Sequence, residues 1–234
     1  MHLILFDIDG TLFRGEGVGS LALKRAFEDV FGVAAVENQD LRAVPFNGRS
    51  DPAIVADMAA MLGIESDVFR EASDRFREVY LERLREVVEV SNRKRLLPGA
   101  SDLIPQLHDH SRVALGLLTG NIEAGARIKL GAFDFNRFFP FGGFGDDGVE
   151  RPVLARRAHE RGEAHHVRRF DTARVLVVGD TVHDVTAART NGFAAVGVET
   201  GGVPAEAMLS AGAEAVFAGL DGAFPEWLMT RILS

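Results

Sequence analysis

The sequence predicts an α/β protein built on a doubly wound, mainly parallel sheet, and three observations predict it. From about residue 96, apolar runs of strand length alternate with segments of helical periodicity. Several of those runs stop at polar residues beside a Gly, as expected where ligands gather at the carboxyl ends of parallel strands. A first strand at residues 2–7 belongs with this sheet but is followed by three helical patterns, so the block from about 14 to 92 reads as a helical insertion.

The 234 residues suffice for one large domain or two modest ones with a real core. Apolar residues make up 47% and charged residues 26%, ordinary values for a soluble globular chain. The formal charge of -8 argues against nucleic acid as a partner, because a phosphate-backbone footprint is basic. It does not argue against a small anion, since one local Arg or cation can dominate a site. With no Cys, disulfides, thiolate metal sites and Cys nucleophiles are excluded. No basic leader precedes a long apolar run and no stretch approaches membrane-spanning length, so no membrane partner is expected and a cytoplasmic location is the default.

Taken in order, the chain opens on the apolar run Leu3-Ile4-Leu5-Phe6, which stops at Asp7-Ile8-Asp9-Gly10-Thr11. Residues i and i+2 of a strand share a face, so Asp7 and Asp9 repel each other while pairing stays regular. Gly10 lets the backbone turn and aims the two carboxylates separately. One can then hold a cation or attack an electrophile while the other handles a proton; a plain strand end with a capping Asp is the alternative. Gly15-Glu16-Gly17-Val18-Gly19 has the spacing G-x-G-x-G rather than that of a dinucleotide loop, and it follows an acidic strand end, so it reads as a hinge.

A helix over about 20–31 places Leu21, Leu23, Ala26, Phe27, Val30 and Phe31 on an apolar face. Residues 32–50 are irregular, with Pro45, Asn47 and Gly48 as breakers. Asp51-Pro52 opens a second helix, to about 62, with Asp51 as N-cap and Pro52 at the first position. A third runs over about 66–90, with Phe69, Phe76, Val79, Tyr80, Leu84 and Val87 at helical spacing. No convincing strand appears in this block. After the Pro98-Gly99 break, a helix runs to about 110 and a strand covers 112–118. Further strands are predicted at 141–145, 174–178, 194–198 and 215–217, and helices at about 122–131, 151–162, 183–191, 203–211 and 222–232.

Two later strand ends carry chemistry. Leu118-Thr119-Gly120-Asn121 supplies a hydroxyl, an unhindered backbone N–H and an amide before a helix N-terminus, groups that suit phosphate oxygens or simply make a turn and cap. Residues 175–178 run into Gly179-Asp180-Thr181-Val182-His183-Asp184, a second apolar strand ending in carboxylates. Asp180 should meet Asp7 across neighbouring strand ends. Carboxylates converging there need a cation, and oxygen ligands suit Mg²⁺.

Phe6-Asp7-Ile8-Asp9-Gly10-Thr11-Leu12, Leu118-Thr119-Gly120-Asn121 and Val178-Gly179-Asp180-Thr181…Asp184 resemble motifs I, II and IV of the haloacid dehalogenase superfamily, in order and at strand ends. The helical insertion is similar to the C1 cap of phosphoglycolate phosphatase-like members. The resemblance implies a Rossmann-like core of residues 1–13 and 96–234 and a helical cap of residues 14–95, hinged at 15–19 and near 93–98. It implies Asp7 as the nucleophile that forms an aspartyl-phosphate, and Asp9 as general acid and then base. Mg²⁺ would be held by the Asp7 carboxylate, the Asp9 backbone carbonyl and Asp180, with Asp184 orienting bound water. Thr119 and Gly120, with Asn121 beside them, would bind the phosphoryl group.

The sequence departs from the family at motif III, where Arg151 before Pro152 stands in place of the usual Lys. Arg151 is expected to neutralise Asp7 and the phosphoryl group, with a larger and more rigid fork than an ammonium. Lys129 is instead read as a surface residue near a helix C-terminus. In the insertion, Asn47-Gly48-Arg49-Ser50-Asp51 resembles the segment with which C1 caps address substrate, and Arg49 could pair with a substrate anion or belong to a plain surface loop. His108, His110, His159, His165 and His166 are read as solvent-facing, and Arg156, Arg157, Arg161, Arg168 and Arg169 as a solvated face. The expected function is a Mg²⁺-dependent phosphatase acting on a small phosphorylated metabolite, as a monomer or homodimer. A C1-capped phosphomutase or a catalytically weak phosphate-binding protein would keep the same motifs. A 2-haloacid dehalogenase is disfavoured because it lacks the acid at the Asp9 position.

Overall fold

β1 (His2–Phe6) is buried along its whole length, which its unbroken apolar run requires of a strand covered on both faces. The computed structural model describes residues 1–233 and places β1 inside a six-stranded parallel sheet. In chain order, β2 (Phe13–Arg14) precedes three helices, α1 (Val18–Phe31), α2 (Asp51–Met61) and α3 (Ser66–Val90), and β3 (Arg95–Leu96) follows them. Then come α4 (Ala100–His108), β4 (Val113–Leu118), α5 (Glu123–Gly131), β5 (Gly142–Gly143) and α6 (Arg151–His166). The chain ends with β6 (Val175–Gly179), α7 (Val182–Thr190), β7 (Ala194–Val198), α8 (Ala205–Ser210), β8 (Ala215–Phe217) and α9 (Phe224–Leu233).

The sheet order is β5-β4-β1-β6-β7-β8, so β4 and β6 flank β1. Phe6 pairs with Leu117 on one side and Val178 on the other. That register ends the three central strands level, which brings the Asp7, Thr119 and Asp180 loops together. Side chains alternate as the strand period demands. Ile4 and Phe6 join the core on one face of the sheet, and Leu3 and Leu5 the core on the other. The first of these cores runs on into the helical block through Leu23, Phe27, Phe76 and Leu84. There Phe27 and Phe76 lie 4.6 Å apart by ring centroid, within a cluster that includes Phe31 and Phe69.

Four features differ from the sequence reading. β2 and β3 pair antiparallel as a two-residue ribbon, Phe13 opposite Leu96 and Arg14 opposite Arg95, so the helical block enters and leaves through adjacent strands. β5 is shorter than expected, because Phe141 and Phe144 on either side of it turn into the core. α6 extends to His166, where Val167 ends it in the left-handed region. α1 starts two residues early, at Val18, after Gly17 at φ 97°. No described helix is long and apolar enough to cross a membrane.

Candidate active site

Asp7 sits one residue past β1, its backbone N–H donating to Val178 O at 3.0 Å, so the sheet ladder itself fixes it beside β6. Beyond it, Gly10 turns at φ 88°, and a Cβ there would lie 2.2 Å from Asp180 Oδ2. Only Gly permits that approach. Gly201 closes the other side of Asp180 in the same way. Thr181 and Asp184 form a capping box at the start of α7, with Thr181 Oγ1 and N both donating to Asp184 Oδ2. This leaves Asp184 Oδ1 directed elsewhere.

Asp7, Asp180 and Asp184 are all buried and offer oxygens within 4.8 Å of one another. Burial raises the pKa of Asp7, with Asp184 and Asp9 adding to it and Arg151 opposing. Burial and then the neighbouring Asp7 and Asp184 raise Asp180 further. Asp7 and Asp180 therefore call for added positive charge beside them.

Arg151 supplies part of it. Its Nη2 lies 2.6 Å from Asp7 Oδ1 and 2.6 Å from Asp184 Oδ1, bridging the two carboxylates. The contact with Asp7 is an aligned hydrogen bond. That with Asp184 is an ion pair without alignment, and Asp184 Oδ1 and Arg151 Nε are buried polar atoms with no hydrogen-bond partner. Burial works against the Arg151 charge, but Asp184, Asp7 and Asp180 outweigh it and hold the guanidinium protonated. The expected pairing of Arg151 with Asp7 is therefore present, with Asp184 as a second partner.

The donor set fits Mg²⁺. It is all oxygen, it is buried, and among the described residues the side-chain hydrogen bond to Asp180 is a long 3.4 Å contact from Thr11 Oγ1. The Asp9 carboxylate is not in this group. It turns the other way, where Oδ2 accepts from Asn121 Nδ2 at 2.7 Å and from Lys129 Nζ at 2.6 Å.

Lys129 corrects the sequence reading. It is only 5% exposed, because α5 turns Gly125, Ala126, Lys129 and Leu130 inward as one face. The signal was present in that spacing, which places residue 129 on the same stripe as Ala126 and Leu130. Asp51 is the second correction. α2 takes Ser50 as its N-cap residue, and Asp51 Oδ2 instead accepts from Ile122 N at 3.0 Å and from Tyr80 Oη at 3.5 Å. Burial pushes the Asp51 carboxyl up to about 6, against the pull of Lys129. Tyr80 is pushed well above its ordinary range by burial and by Asp51.

Asp51 N also donates to Gly120 O at 2.7 Å, and a Cβ on Gly120 would meet Arg49 O at 2.1 Å. The 47–51 segment therefore lies directly on the Thr119-Gly120-Asn121 loop. The Arg49 side chain pairs with Asp57 at the cavity wall. Of the histidines, His108 and His165 are exposed. His159 is half-buried, with Nε2 3.1 Å from Phe170 O, which overturns its solvent-facing reading.

These groups open onto one cavity of about 400 Å³, lined by Asp7, Asp9, Thr119, Lys129, Arg151 and Asp180 on the sheet side. Phe46, Ile54 and Tyr80 of the helical segment face them. The volume suits a small molecule.

Comparison with known proteins gives a family and a shared fold. A family profile described as haloacid dehalogenase-like hydrolase matches residues 1–192. A hydrolase from Pseudomonas syringae superimposes with a TM-score of 0.70 at 22% identity, covering 98% of this chain and 99% of that one. A protein from Thermotoga maritima assigned as a β-phosphoglucomutase gives 0.65 at 22% identity, over 98% and 99%. A predicted phosphoglycolate phosphatase from Haemophilus somnus gives 0.67 at 18% identity, over 99% and 98%. A search of curated proteins found no match. With its motifs carried on the sheet order and strand ends described above, the chain belongs to the haloacid dehalogenase-like hydrolase family.

Proposed function

We propose that the chain is a phosphatase that hydrolyses a small phosphate monoester by in-line attack of Asp7, with residues 14–95 acting as a cap over the site. The observation that carries this is the convergence, at one cavity, of a buried carboxylate pinned by Arg151 and a second carboxylate free of the metal cluster. Asp7 would form the aspartyl-phosphate, while Asp9 gives a proton to the leaving alkoxide and later takes one from water. Thr119 and the Gly120 N–H would receive the phosphoryl oxygens. Asp7 and Asp180, with the Asp9 backbone carbonyl, would hold Mg²⁺, and Asp184 would support them. Bound there, Mg²⁺ would screen the repulsion between the Asp7 carboxylate and a phosphate dianion.

Arg151 serves the same end from the protein side by drawing charge from Asp7 Oδ1, leaving the other oxygen to attack. The 47–51 segment, seated on the Thr119 loop, would exclude bulk water during the first step. Support for the class of reaction comes from the family match and from neighbours named as phosphatases.

A screen of small sugar, nucleotide and two- or three-carbon acid phosphates tests the proposal. Turnover should need Mg²⁺ and be abolished by EDTA. Asp7→Asn should remove it, and turnover surviving in Asp7→Asn would sink the nucleophile assignment. A phosphomutase is the second reading, favoured by the likeness to the T. maritima protein. It predicts an isomerised sugar phosphate in place of released phosphate.

A further inference from the structure

We infer that Lys129 is a positioning residue that sets both working arms of the site, the Asp9 carboxylate and the Thr119 hydroxyl; this rests on the phosphatase reading above. An ammonium group only donates hydrogen bonds. Lys129 Nζ lies 2.6 Å from Asn121 Oδ1, so the Asn121 amide must present its oxygen to Lys129. Its Nδ2 then faces the other way, donating to Asp9 Oδ2 at 2.7 Å and to Thr119 Oγ1 at 2.8 Å. Thr119 Oγ1 also accepts from Asn121 N at 3.3 Å. With its oxygen engaged by two donors, the Thr119 hydroxyl keeps its one hydrogen for a group in the cavity, which it lines. A phosphoryl oxygen, an acceptor only, is the natural partner.

The second arm is direct. Lys129 and Asn121 both hold Asp9 Oδ2, and no described residue donates to Asp9 Oδ1 in a side chain that is 47% exposed. One oxygen is thus anchored and the other is left toward the cavity, as a group that hands over a proton needs. A buried ammonium is costly to retain for stability alone, because desolvation offsets much of the ion pair. Loss of Lys129 removes the constraint on the Asn121 amide. The amide is then held only through Nδ2, its oxygen left without a donor, and can swing out of the position in which it engages both Thr119 Oγ1 and Asp9 Oδ2.

The chain has no Cys, which makes a clean test available. Lys129→Cys can be alkylated with bromoethylamine at that one thiol, restoring an ammonium at nearly the native length. Inorganic phosphate binding with Mg²⁺ present is read by calorimetry, and kcat and KM with the best substrate of the screen. Lys129→Met and Lys129→Gln should weaken phosphate binding about 10- to 100-fold, the value of a hydrogen bond to a charged group. They should also lower kcat by about 100-fold, as acid–base catalysis is lost.

Aminoethylation of Lys129→Cys should recover most of both. Unchanged phosphate affinity in Lys129→Met and Lys129→Gln, or no recovery on aminoethylation of a natively folded Lys129→Cys, would overturn the assignment. Absence of phosphate binding by the unaltered protein would instead overturn the phosphatase reading itself.

Discussion

Arg151 is the residue on which the charge balance of the site turns. It places one nitrogen 2.6 Å from each of two buried carboxylates, with a third close behind. Removing it in Arg151→Met strands those charges and should cost about 3–5 kcal/mol at pH 8 without metal, the usual penalty for breaking a buried pair. The sign of the pH dependence follows from Asp7 and Asp180, whose pKa values are raised in the folded state. The folded protein holds those protons more tightly than the unfolded chain, so its stability is greater at low pH and falls as they ionise. The deficit of Arg151→Met should therefore shrink toward pH 5, and urea midpoints in EDTA at pH 5 and pH 8 measure it. Equal deficits at both pH values would show that Arg151 does not balance titrating groups.

Arg151 was legible in the sequence, because it stands just before a helix-opening Pro152 between two recognisable strand ends. Lys129 was not. Its role depends on α5 rolling its small residues Gly125 and Ala126 inward, so that a long side chain between them and Leu130 points at a loop 120 residues earlier.

Among the elements, the contact between α2 and the β4–α5 loop carries the most consequence. α2 begins with a carboxylate that ignores its own helix and accepts from Ile122 N across the cavity, while its backbone N–H holds Gly120 O. The sequence showed Ser50-Asp51-Pro52 as a helix start, and it is one. It could not show that the first-turn acid serves another helix, since that contact spans 71 residues. The β2–β3 ribbon was equally silent, because two-residue strands leave no period to read.

Asp51 allows a prediction with a sign. Burial raises its carboxyl from the ordinary 3.8 to about 6. Its ionised form is therefore disfavoured in the folded state, and this group's contribution to stability declines as pH rises from about 4 to 6. Asp51→Asn keeps an acceptor for Ile122 N and removes the charge. It should be more stable than the unaltered protein at pH 7.5, by about 1–2 kcal/mol after allowing for partial exposure, and equal to it near pH 4. A urea series from pH 4 to 8 reads the difference between the two curves. A parallel pair would mean that Asp51 titrates alike in the folded and unfolded states.

At the scale of the molecule, the question is whether the helical block and the sheet behave as one body. Two crossings through a two-residue ribbon suggest a hinge, and cap movement needs one. The packing points the other way for stability. A single apolar cluster runs from Ile4 and Phe6 of β1 through Leu23 and Phe27 of α1 to Phe76 and Leu84 of α3. α3 also lies against α5, where Leu84 and Tyr80 approach Gly125. An insertion that shares its core with its host lacks a separate interior to keep once the host unfolds.

The chain carries its own pair of probes for this. Its one Trp, Trp227, lies in α9 at the far edge of the sheet, whereas the longest helix, α3, belongs to the insertion and weighs heavily on the far-ultraviolet circular dichroism. Urea unfolding followed by Trp227 fluorescence and by circular dichroism should give coincident transitions with one midpoint. A dichroism transition that precedes the fluorescence change would show the helical block melting first, as an independent domain. Coincidence would mean that the proposed cap does not unfold separately, so that any opening over the site is a motion of the intact fold.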